Sequence, residues 1–510
     1  MSEVATPKAL RQIARGGTLN VVGFMVSGAL GFVLTIVVTR GLGDSGAGVF
    51  FSAVAVFTIL ANVTELGADT GVVRFVAAYR AQGRQRDVVP TIKIAVVPAA
   101  IASVLAAVVA VIGADVVAST FARDRPDDVA RFLRLIGPFL PFATVSAVVL
   151  AVTRGFGSMR PFVGIESMAK PALRPALILV LGIGGLTTRE VALGWGAPEA
   201  LACAASFVAL MVLVRRAEPR SVDAAPARSM GELAAAFWRF AAPRGLAAAF
   251  QVSVFWVDVL LLGRYRPSGD VGVYAAASRV AMVGTFALQA IRIAIAPQIS
   301  GLLARGEREA AQTVYQTSTW WLIAVSWPVF LLLAVFARTT LSIFGPGFTE
   351  GGTALTILSI AMLVNLGTGN VTVVLLMGGK SSWNLFNTAV AIVVNVGLNI
   401  ALIPRYGMEG AAMAWAATII VENLLALAEV WVFLGMRPFG RGYLPVTSAA
   451  VVCVGGVAVL ARAVVGDGVA GLLLACAVAA PAYAGALWFL RRRLHLDTFM
   501  ASLRGGRHGG

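Results

Sequence analysis

Arg279 is a charged residue that lies well inside a long apolar run of this sequence, the run 270–296. Nine helical residues, at about 1.5 Å each, put its guanidinium roughly 13 Å from the nearer end of that run. A charge in hydrocarbon costs about 3 kcal/mol or more unless it faces a cavity or a partner. The guanidinium could bind phosphate oxygens through its planar fork, or it could form a structural ion pair with Asp258 on the preceding run.

A second set of charged residues recurs every four positions: Glu166, Lys170 and Arg174. This spacing places all three on one stripe of a helix, and such a stripe needs a polar surface, for which a water-filled vestibule would serve. Pro171 and Pro175 interrupt the same helix and free backbone carbonyls, so we expect a kink there. The alternative is a local Glu166–Lys170 bridge with Arg174 extended to lipid headgroups.

Carboxylates inside apolar runs are the third candidate group. Glu65 and Asp69 lie four residues apart and could bind a coupling proton or a sodium ion, or they could pair with Arg74. The pairing is the favoured interpretation. Glu422 and Glu429, seven residues apart, share a helix face, and Glu422 is also kept as an ion-coupling candidate.

Four further basic residues lie within apolar runs. Arg292 is kept as a cavity candidate. Lys93, Arg134 and Arg244 lie near the ends of their runs, where a long side chain can extend to the headgroups.

The composition requires a membrane protein. Of 510 residues, 58% are hydrophobic and 13% are charged, and a soluble domain needs about twice that charged fraction. Because each run of roughly 20 apolar residues can cross a bilayer as a helix, we expect an all-α, polytopic protein with about fourteen spans. The predicted spans are 18–39, 47–69, 90–113, 132–152, 162–184, 192–214, 242–263, 270–296, 319–337, 352–377, 383–404, 409–434, 444–463 and 468–490.

The net charge of +16 reflects membrane topology rather than nucleic-acid binding, because the arginines lie in short loops between spans. With both termini cytoplasmic, the inside segments hold about 24 basic residues and the outside segments about ten. The bias predicts cytoplasmic termini, as an even span count requires.

The sequence contains no motif for an enzyme that uses nucleotides or metals. A phosphate-binding loop of the G-x-x-x-x-G-K-[ST] type is missing, and the only histidines, His495 and His508, lie in the basic tail. The three cysteines fall in apolar spans without metal or disulfide spacing. We therefore predict a protein that is not an enzyme and has no metal or other cofactor.

An internal repeat divides the chain. At an offset of 224, residues 40–50 align with 264–274 without a gap, and Gly48 aligns with Gly272. Six spans, a basic linker and six more spans then suggest two bundles of parallel topology, with substrate sites at their interface. The predicted regions are a cytoplasmic tail 1–17, a bundle 18–214, a linker 215–240, a bundle 241–434, two additional spans 435–490 and a basic tail 491–510.

The stretch 395–417 is two helices joined by a tight elbow, in which Pro404 ends the first helix, Gly407 supplies the turn and Gly410 opens the second. Its pattern, N-x-x-x-N-x-x-L-I-P-x-Y-G-x-x-G-A-A, resembles the polysaccharide-transporter (oligosaccharide flippase) family of the multidrug/oligosaccharidyl-lipid/polysaccharide exporter superfamily. Further similar pieces are 40–43, 48–50, 256–263, 271–279, 297–300 and 344–348.

This resemblance covers about residues 18 to 434. It implies two six-helix bundles around a central cavity, open to each side in turn, that move a polyprenyl-(pyro)phosphate-linked oligosaccharide across the cytoplasmic (inner) membrane for cell-surface polysaccharide synthesis. The expected partners are this substrate, membrane lipid, and glycosyltransferases and a polymerase of the same pathway, with no nucleic acid.

Other functions are open to a chain of this kind. An ion-coupled multidrug antiporter of the same superfamily would need an acidic cavity for cationic drugs, and intramembrane arginine argues against it. A flippase for a lipid-linked peptidoglycan precursor is a second alternative. A membrane glycosyltransferase or polymerase subunit would need acidic motifs in large external loops, and the outside loops are short. A scaffold without transport activity is the fourth.

Overall fold

A computed structural model describes residues 7–216, 228–282 and 285–491, and within these ranges the chain is helical without a β-strand. The tail residues 1–6 and 492–510, with both histidines, and residues 217–227 of the predicted linker lie outside the described residues. The helices are α1 Pro7–Glu65, α2 Ala68–Ala81, α3 Val88–Ile112, α4 Ala114–Phe121, α5 Pro126–Ile136, α6 Leu140–Gly155, α7 Lys170–Leu181, α8 Thr188–Arg216, α9 Met230–Tyr265, α10 Ser268–Ala281, α11 Thr285–Ala304, α12 Arg308–Val335, α13 Ala337–Leu341, α14 Gly352–Gly367, α15 Val371–Met377, α16 Ser381–Leu434, α17 Tyr443–Ala450, α18 Val457–Val465 and α19 Val469–Leu490.

Eleven helices of the described part are long and apolar enough to cross a membrane. Two of them, Val22–Ala81 and Ser382–Leu434, contain a break at Gly43 and at Gly407, so each supplies two spans and the count rises to thirteen. The one predicted span that this count leaves out is 270–296. It coincides with α10 and α11, which lie on either side of residues 283 and 284. The prediction of an all-α, polytopic membrane protein is confirmed.

The predicted elbow is present in α16. Gly407 has φ 58° and ψ −131°, a conformation that a side chain would strain. Past the turn, a Cβ on Gly410 would lie 2.5 Å from the carbonyl oxygen of Leu402, so the two arms touch backbone to backbone. This close approach explains the small residues that open the second arm.

The two aligned glycines of the internal repeat lie against each other. A Cβ on Gly48 would lie 1.8 Å from the carbonyl oxygen of Ser268, and one on Gly272 would lie 2.1 Å from that of Asp44. The second arm of α1 therefore meets the start of α10 with no room for a side chain. This contact gives the weak sequence repeat a physical role, because both copies need a glycine where they cross.

The chain divides into two compact units, residues 1–272 and 273–510. Within the first unit α9 packs on α1 and α2. The break between α1 and α2 makes the closest contact: a Cβ on Gly67 would lie 2.2 Å from the carbonyl oxygen of Ala241, and one on Gly245 would meet Leu66. The boundary between the two units therefore lies after α9, whereas the sequence predicts a division at the linker 215–240. The division into two six-helix bundles stays a prediction.

In the second unit the two C-terminal spans pack on α12. One span is formed by α17, the π-helix Val451–Gly456 and α18, and the other by α19. The Tyr483 hydroxyl donates a hydrogen bond to the carbonyl of Ala324 at 3.0 Å, and Phe336 is buried among Ala458, Ala461 and Ala475. The additional spans are therefore part of this unit's core.

Candidate functional site

The predicted stripe lies on a distorted helix. Residues Phe162–Ala169 form a π-helix that continues into α7 at Lys170. Pro171 and Pro175 lack an N–H, and their rings would clash with the carbonyls four residues earlier in a regular α-helix. Widening of the preceding turn removes this conflict. The expected interruption therefore takes the form of a π-helix just before Lys170, and it sets the direction in which Glu166 and Lys170 project.

A buried carboxylate on α8 joins the two cations of the stripe. Glu199 has a side chain that is 2% exposed; its Oε1 accepts a hydrogen bond from Arg174 at 2.5 Å, and its Oε2 lies 3.3 Å from Lys170 Nζ. Lys170 also contacts Glu166. The local Glu166–Lys170 bridge is thus present, but Arg174 does not extend to headgroups: it turns inward to Glu199, because a partner on a neighbouring helix offsets its desolvation.

Sequence reasoning missed Glu199. It has no basic neighbour at helical spacing on α8, and its partners lie on a different helix. The one available signal was its position in the predicted span 192–214, where an unpaired carboxylate is expensive.

An aromatic wall holds Arg174 in place. Its guanidinium carbon lies 4.3 Å from the centroid of the Trp195 ring. Trp195 in turn packs edge-on against Phe57 and Phe50 of α1, with ring centroids 5.0 and 6.4 Å away. Arg174 Nε is buried without a hydrogen-bond acceptor among the described residues. The ring therefore fixes a guanidinium that still has one N–H to offer.

The predicted ion-coupling carboxylates belong to the same region. Glu65 interacts electrostatically with Asp69, Glu166, Arg154 and Lys170. Arg154, at the end of α6, interacts with Asp69 as well as with Glu65. Arg154 lies just beyond the predicted span 132–152, so it was not among the basic residues predicted to lie within an apolar run.

Together these residues form one charged cluster of four carboxylates and three cations: Glu65, Asp69, Arg154, Glu166, Lys170, Arg174 and Glu199. Arg154 is stacked on Phe162 at 4.7 Å, and its Nε, like that of Arg174, is buried without an acceptor in the described part of the chain. The cluster lies among helices that are otherwise apolar.

The favoured pairing of Glu65 or Asp69 with Arg74 is wrong. No carboxylate of the described residues lies within 4.0 Å of Arg74, which is exposed and is stacked on Phe240 of α9 at 4.2 Å. The reason is the break between α1 and α2. Leu66 has φ 54° and Gly67 has φ 75°, so α2 does not continue the direction of α1 and Arg74 faces a different neighbour.

Arg279 and Asp258 belong to different compact units, and their pairing stays a prediction. Arg279 lies on α10, is half-buried, and contacts the sulfur of Met282 at 3.6 Å. Asp258 on α9 is 1% exposed. Arg292 on α11 is exposed.

The glutamates of α16 differ in their surroundings. Glu422 is half-buried, whereas Glu429 is buried and accepts a hydrogen bond from the Asn387 side chain at 2.7 Å within the same kinked helix. Asn423, the residue after Glu422, is hydrogen-bonded to Thr368 and Asn365 on the neighbouring segment. These amides connect helices. Because Glu429 accepts the hydrogen bond from Asn387, Glu422 remains the ion-coupling candidate of this unit.

No group of three or more His, Cys, Asp or Glu residues that could hold a metal ion occurs in the described ranges. The interactions of the charged cluster are ion pairs and ring contacts. Such a set can exchange partners with an anionic ligand or a small cation, since Lys170 and Arg174 already share Glu199.

The fold and this cluster define a multi-pass membrane protein with intramembrane charges, and its family follows from comparison with known proteins. Residues 13–303, more than half of the chain, match the family described as Polysaccharide biosynthesis protein, and the chain belongs to this family. Residues 243–401 also match the MatE family. The resemblance carried by the elbow and its companion motifs is confirmed.

Curated relatives are similar over part of the chain. The probable low-salt glycan biosynthesis flippase Agl15 of Haloferax volcanii is 29% identical over 33% of this chain and 36% of its own length. Stage V sporulation protein B of Bacillus subtilis is 23% identical over 34% of this chain and 33% of its own length. The chain thus spans about a third of the length of the curated relatives it matches.

Solved structures show the fold over nearly the whole chain. The lipid II flippase MurJ in an inward closed conformation has a TM-score of 0.73 at 11% identity, covering 93% of this chain and 98% of that chain. An inward-facing multidrug resistance MATE family transporter has a TM-score of 0.65 at 16% identity, covering 80% and 95%. The fold is therefore that of this group of transporters.

Proposed function

We propose that this protein is a flippase that moves a polyprenyl-(pyro)phosphate-linked oligosaccharide from the cytoplasmic to the outer leaflet of the cytoplasmic membrane by alternating access, and that it is not an enzyme. Family membership and the names of the glycan flippase relatives support this function. Glycosyltransferases and a polymerase of the same pathway would supply and consume the substrate.

The observation that carries the proposal is the charged cluster. Three cations and four carboxylates among apolar helices are costly to keep, and transporters keep such groups where substrate or ions pass. Lys170 and Arg174 offer the positive charge that a lipid phosphate needs. The buried Nε of Arg174, which lacks an acceptor among the described residues, offers a donor for a phosphate oxygen.

The carboxylates give the cluster a means of coupling. Glu199 and Glu166 compete with a substrate phosphate for Lys170 and Arg174. A proton or sodium ion on Glu65 or Asp69 adds one positive charge to the cluster, which strengthens its hold on a phosphate, and loss of that ion weakens it. An ion gradient could drive transport in this way, and Glu422 would offer a second site in the other unit.

Arg279 has a complementary role in this proposal: its guanidinium binds the carrier phosphate, and Asp258 is a further candidate for contact with the substrate. Arg292 would extend the same cationic path. The guanidinium geometry suits phosphate oxygens better than an ammonium would.

The test is lipid translocation in vesicles that contain the purified full-length chain. The probe is an undecaprenyl diphosphate disaccharide with a fluorophore on the sugar, present in both leaflets, and dithionite added outside reduces only the fluorophores that reach the outer leaflet. Transport predicts reduction of the whole probe, whereas reduction limited to the level of protein-free vesicles would contradict it. Efflux of ethidium without movement of the lipid probe would indicate the multidrug antiporter instead. Movement of only a peptide-bearing probe would indicate a peptidoglycan precursor flippase.

A further inference from the structure

Two arginines from different helices of the first unit lie against one aromatic ring. The guanidinium carbons of Arg74 on α2 and Arg244 on α9 lie 4.2 and 5.7 Å from the centroid of Phe240. Both side chains are exposed, and neither has a carboxylate within 4.0 Å among the described residues. Two positive charges are thus held close together without compensation from an acidic side chain there.

The ring that holds them is fixed by the core beneath it. Phe240 packs edge-on against Phe75 at 6.0 Å, and Phe75 packs on the fully buried Phe237 at 5.6 Å. A Cβ on Gly71 would lie 2.8 Å from the Phe237 ring, so α2 and α9 meet closely at this level. The spacing of Arg74 and Arg244 is therefore set by a packed interface and does not depend on a ligand.

This geometry suits a phosphate group. A guanidinium stacked on a ring face keeps its N–H edge free for a bidentate contact with phosphate oxygens. The two guanidinium carbons lie within about 10 Å of each other, since both are close to one ring centroid, and an anion between them relieves their mutual repulsion.

The surroundings favour a phosphate that is attached to a lipid chain. On the face of α9 that carries Arg244, three turns farther along the helix, Phe255 has an exposed fraction of 47%. A ligand with a charged head at the arginines can extend its apolar chain along this face toward Phe255. Arg74 and Arg244 also lie toward the ends of their spans that the basic-residue bias predicts to be cytoplasmic.

We propose that Arg74, Phe240 and Arg244 form a loading site that takes the phosphate or diphosphate of a polyprenyl-linked substrate at the cytoplasmic side, before the substrate reaches the charged cluster. This inference rests on the proposed function and names the place where the substrate enters. The remaining sources of the same chemistry, a free phosphate and an anionic phospholipid headgroup, are outcomes of the test.

The test is equilibrium binding to the purified full-length chain in phosphatidylcholine nanodiscs, with farnesyl diphosphate as the tailed probe and inorganic pyrophosphate as the tailless one. In the double variant Arg74→Gln/Arg244→Gln, the Kd of farnesyl diphosphate should rise at least about ten-fold. Arg239→Gln removes an exposed arginine next to Phe240 and should leave this Kd unchanged. The Kd of the variant Arg74→Lys/Arg244→Lys should lie between those of the wild type and the double glutamine variant, because lysines keep the charges and lose the planar forks. An unchanged melting temperature of the double variants shows that they fold.

Three results would overturn the proposal. The first is an unchanged Kd in the folded double variant or an equal loss in Arg239→Gln. The second is pyrophosphate binding as tightly as farnesyl diphosphate, which would indicate a site for free phosphate. The third is arginine-dependent binding only of phosphatidylglycerol added to the nanodisc, which would indicate a headgroup site. Because binding is measured without transport, failure of the wild-type chain to move lipid would reject the proposed function while leaving this binding result intact.

Discussion

Glu199 on α8 accepts a 2.5 Å hydrogen bond from Arg174 on α7, and the same carboxylate lies 3.3 Å from Lys170. One nearly inaccessible carboxylate therefore holds two cations from a distorted neighbouring helix. Removal of a single partner from such a set destabilises the protein by more than the net contribution of the ion pairs, because the remaining charges stay desolvated.

Glu199→Gln tests this dependence. The amide keeps the shape of the side chain but not its charge, so Lys170 and Arg174 lose their shared partner. We expect the free energy of unfolding to fall by on the order of 3 kcal/mol, reduced somewhat because both cations are partly exposed. Thermal melting in detergent measures the change. Glu309→Gln, at an exposed position on α12, is the control and should leave the melting temperature unchanged; a similar small shift in both variants would contradict the role of Glu199.

Gly67 and Gly83 form a matched pair for the break between α1 and α2. Their φ values are 75° and 74°, but a Cβ on Gly67 would meet the backbone of α9, whereas one on Gly83 would meet nothing within 4 Å. Gly83→Ala should cost about 1–2 kcal/mol for the left-handed conformation alone. Gly67→Ala should cost at least about 2 kcal/mol more, because α9 must move. Equal melting temperatures of the two variants would show that the close approach of Gly67 to α9 does not contribute to the stability of the protein.

The role of Arg279 is tested by lipid translocation in single and double variants. Arg279→Ala should abolish transport while the protein still inserts and folds. Arg279→Lys should restore only part of the activity, because a point charge replaces a planar fork. Asp258→Ala combined with Arg279→Ala removes both charges; full activity of this double variant would reduce Arg279 to a structural ion pair and remove its phosphate role.

The topology is tested by cysteine labelling in intact cells, on a background without the three native cysteines. Gln82 and Asp127 are exposed and lie in loops predicted to be inside and outside. Ser268 would be a poor reporter, because it is buried and its hydroxyl donates to Asp124 at 2.6 Å. An impermeant maleimide should label Asp127→Cys and reach Gln82→Cys only after permeabilisation. Labelling of both from outside would overturn the assignment of cytoplasmic termini.

The spans and the elbow could be predicted because hydropathy and helix-ending residues are local properties of the sequence. The Glu166, Lys170 and Arg174 stripe could be predicted for the same reason, since helical spacing alone places it on one face.

The partners of these residues could not be predicted in the same way. Glu199 lies on another helix, and nothing in its own neighbourhood identifies Arg174 as its partner. For Arg74 the local choice, a carboxylate on the same segment, was wrong because a left-handed Leu66 and Gly67 redirect α2 toward the Phe240 ring of α9. Tertiary packing decided both cases.

The most direct test of the central claim, that the charged cluster moves a lipid phosphate, is the initial rate of probe translocation in vesicles with Arg174→Gln compared with Arg189→Gln. Arg189 is an exposed arginine at the start of α8 and lies outside the cluster. Loss of a charge-assisted hydrogen bond worth about 1.5–3 kcal/mol should slow Arg174→Gln by about ten-fold or more, while Arg189→Gln stays near the wild-type rate. A folded Arg174→Gln variant that moves the probe as fast as the wild type would contradict the account.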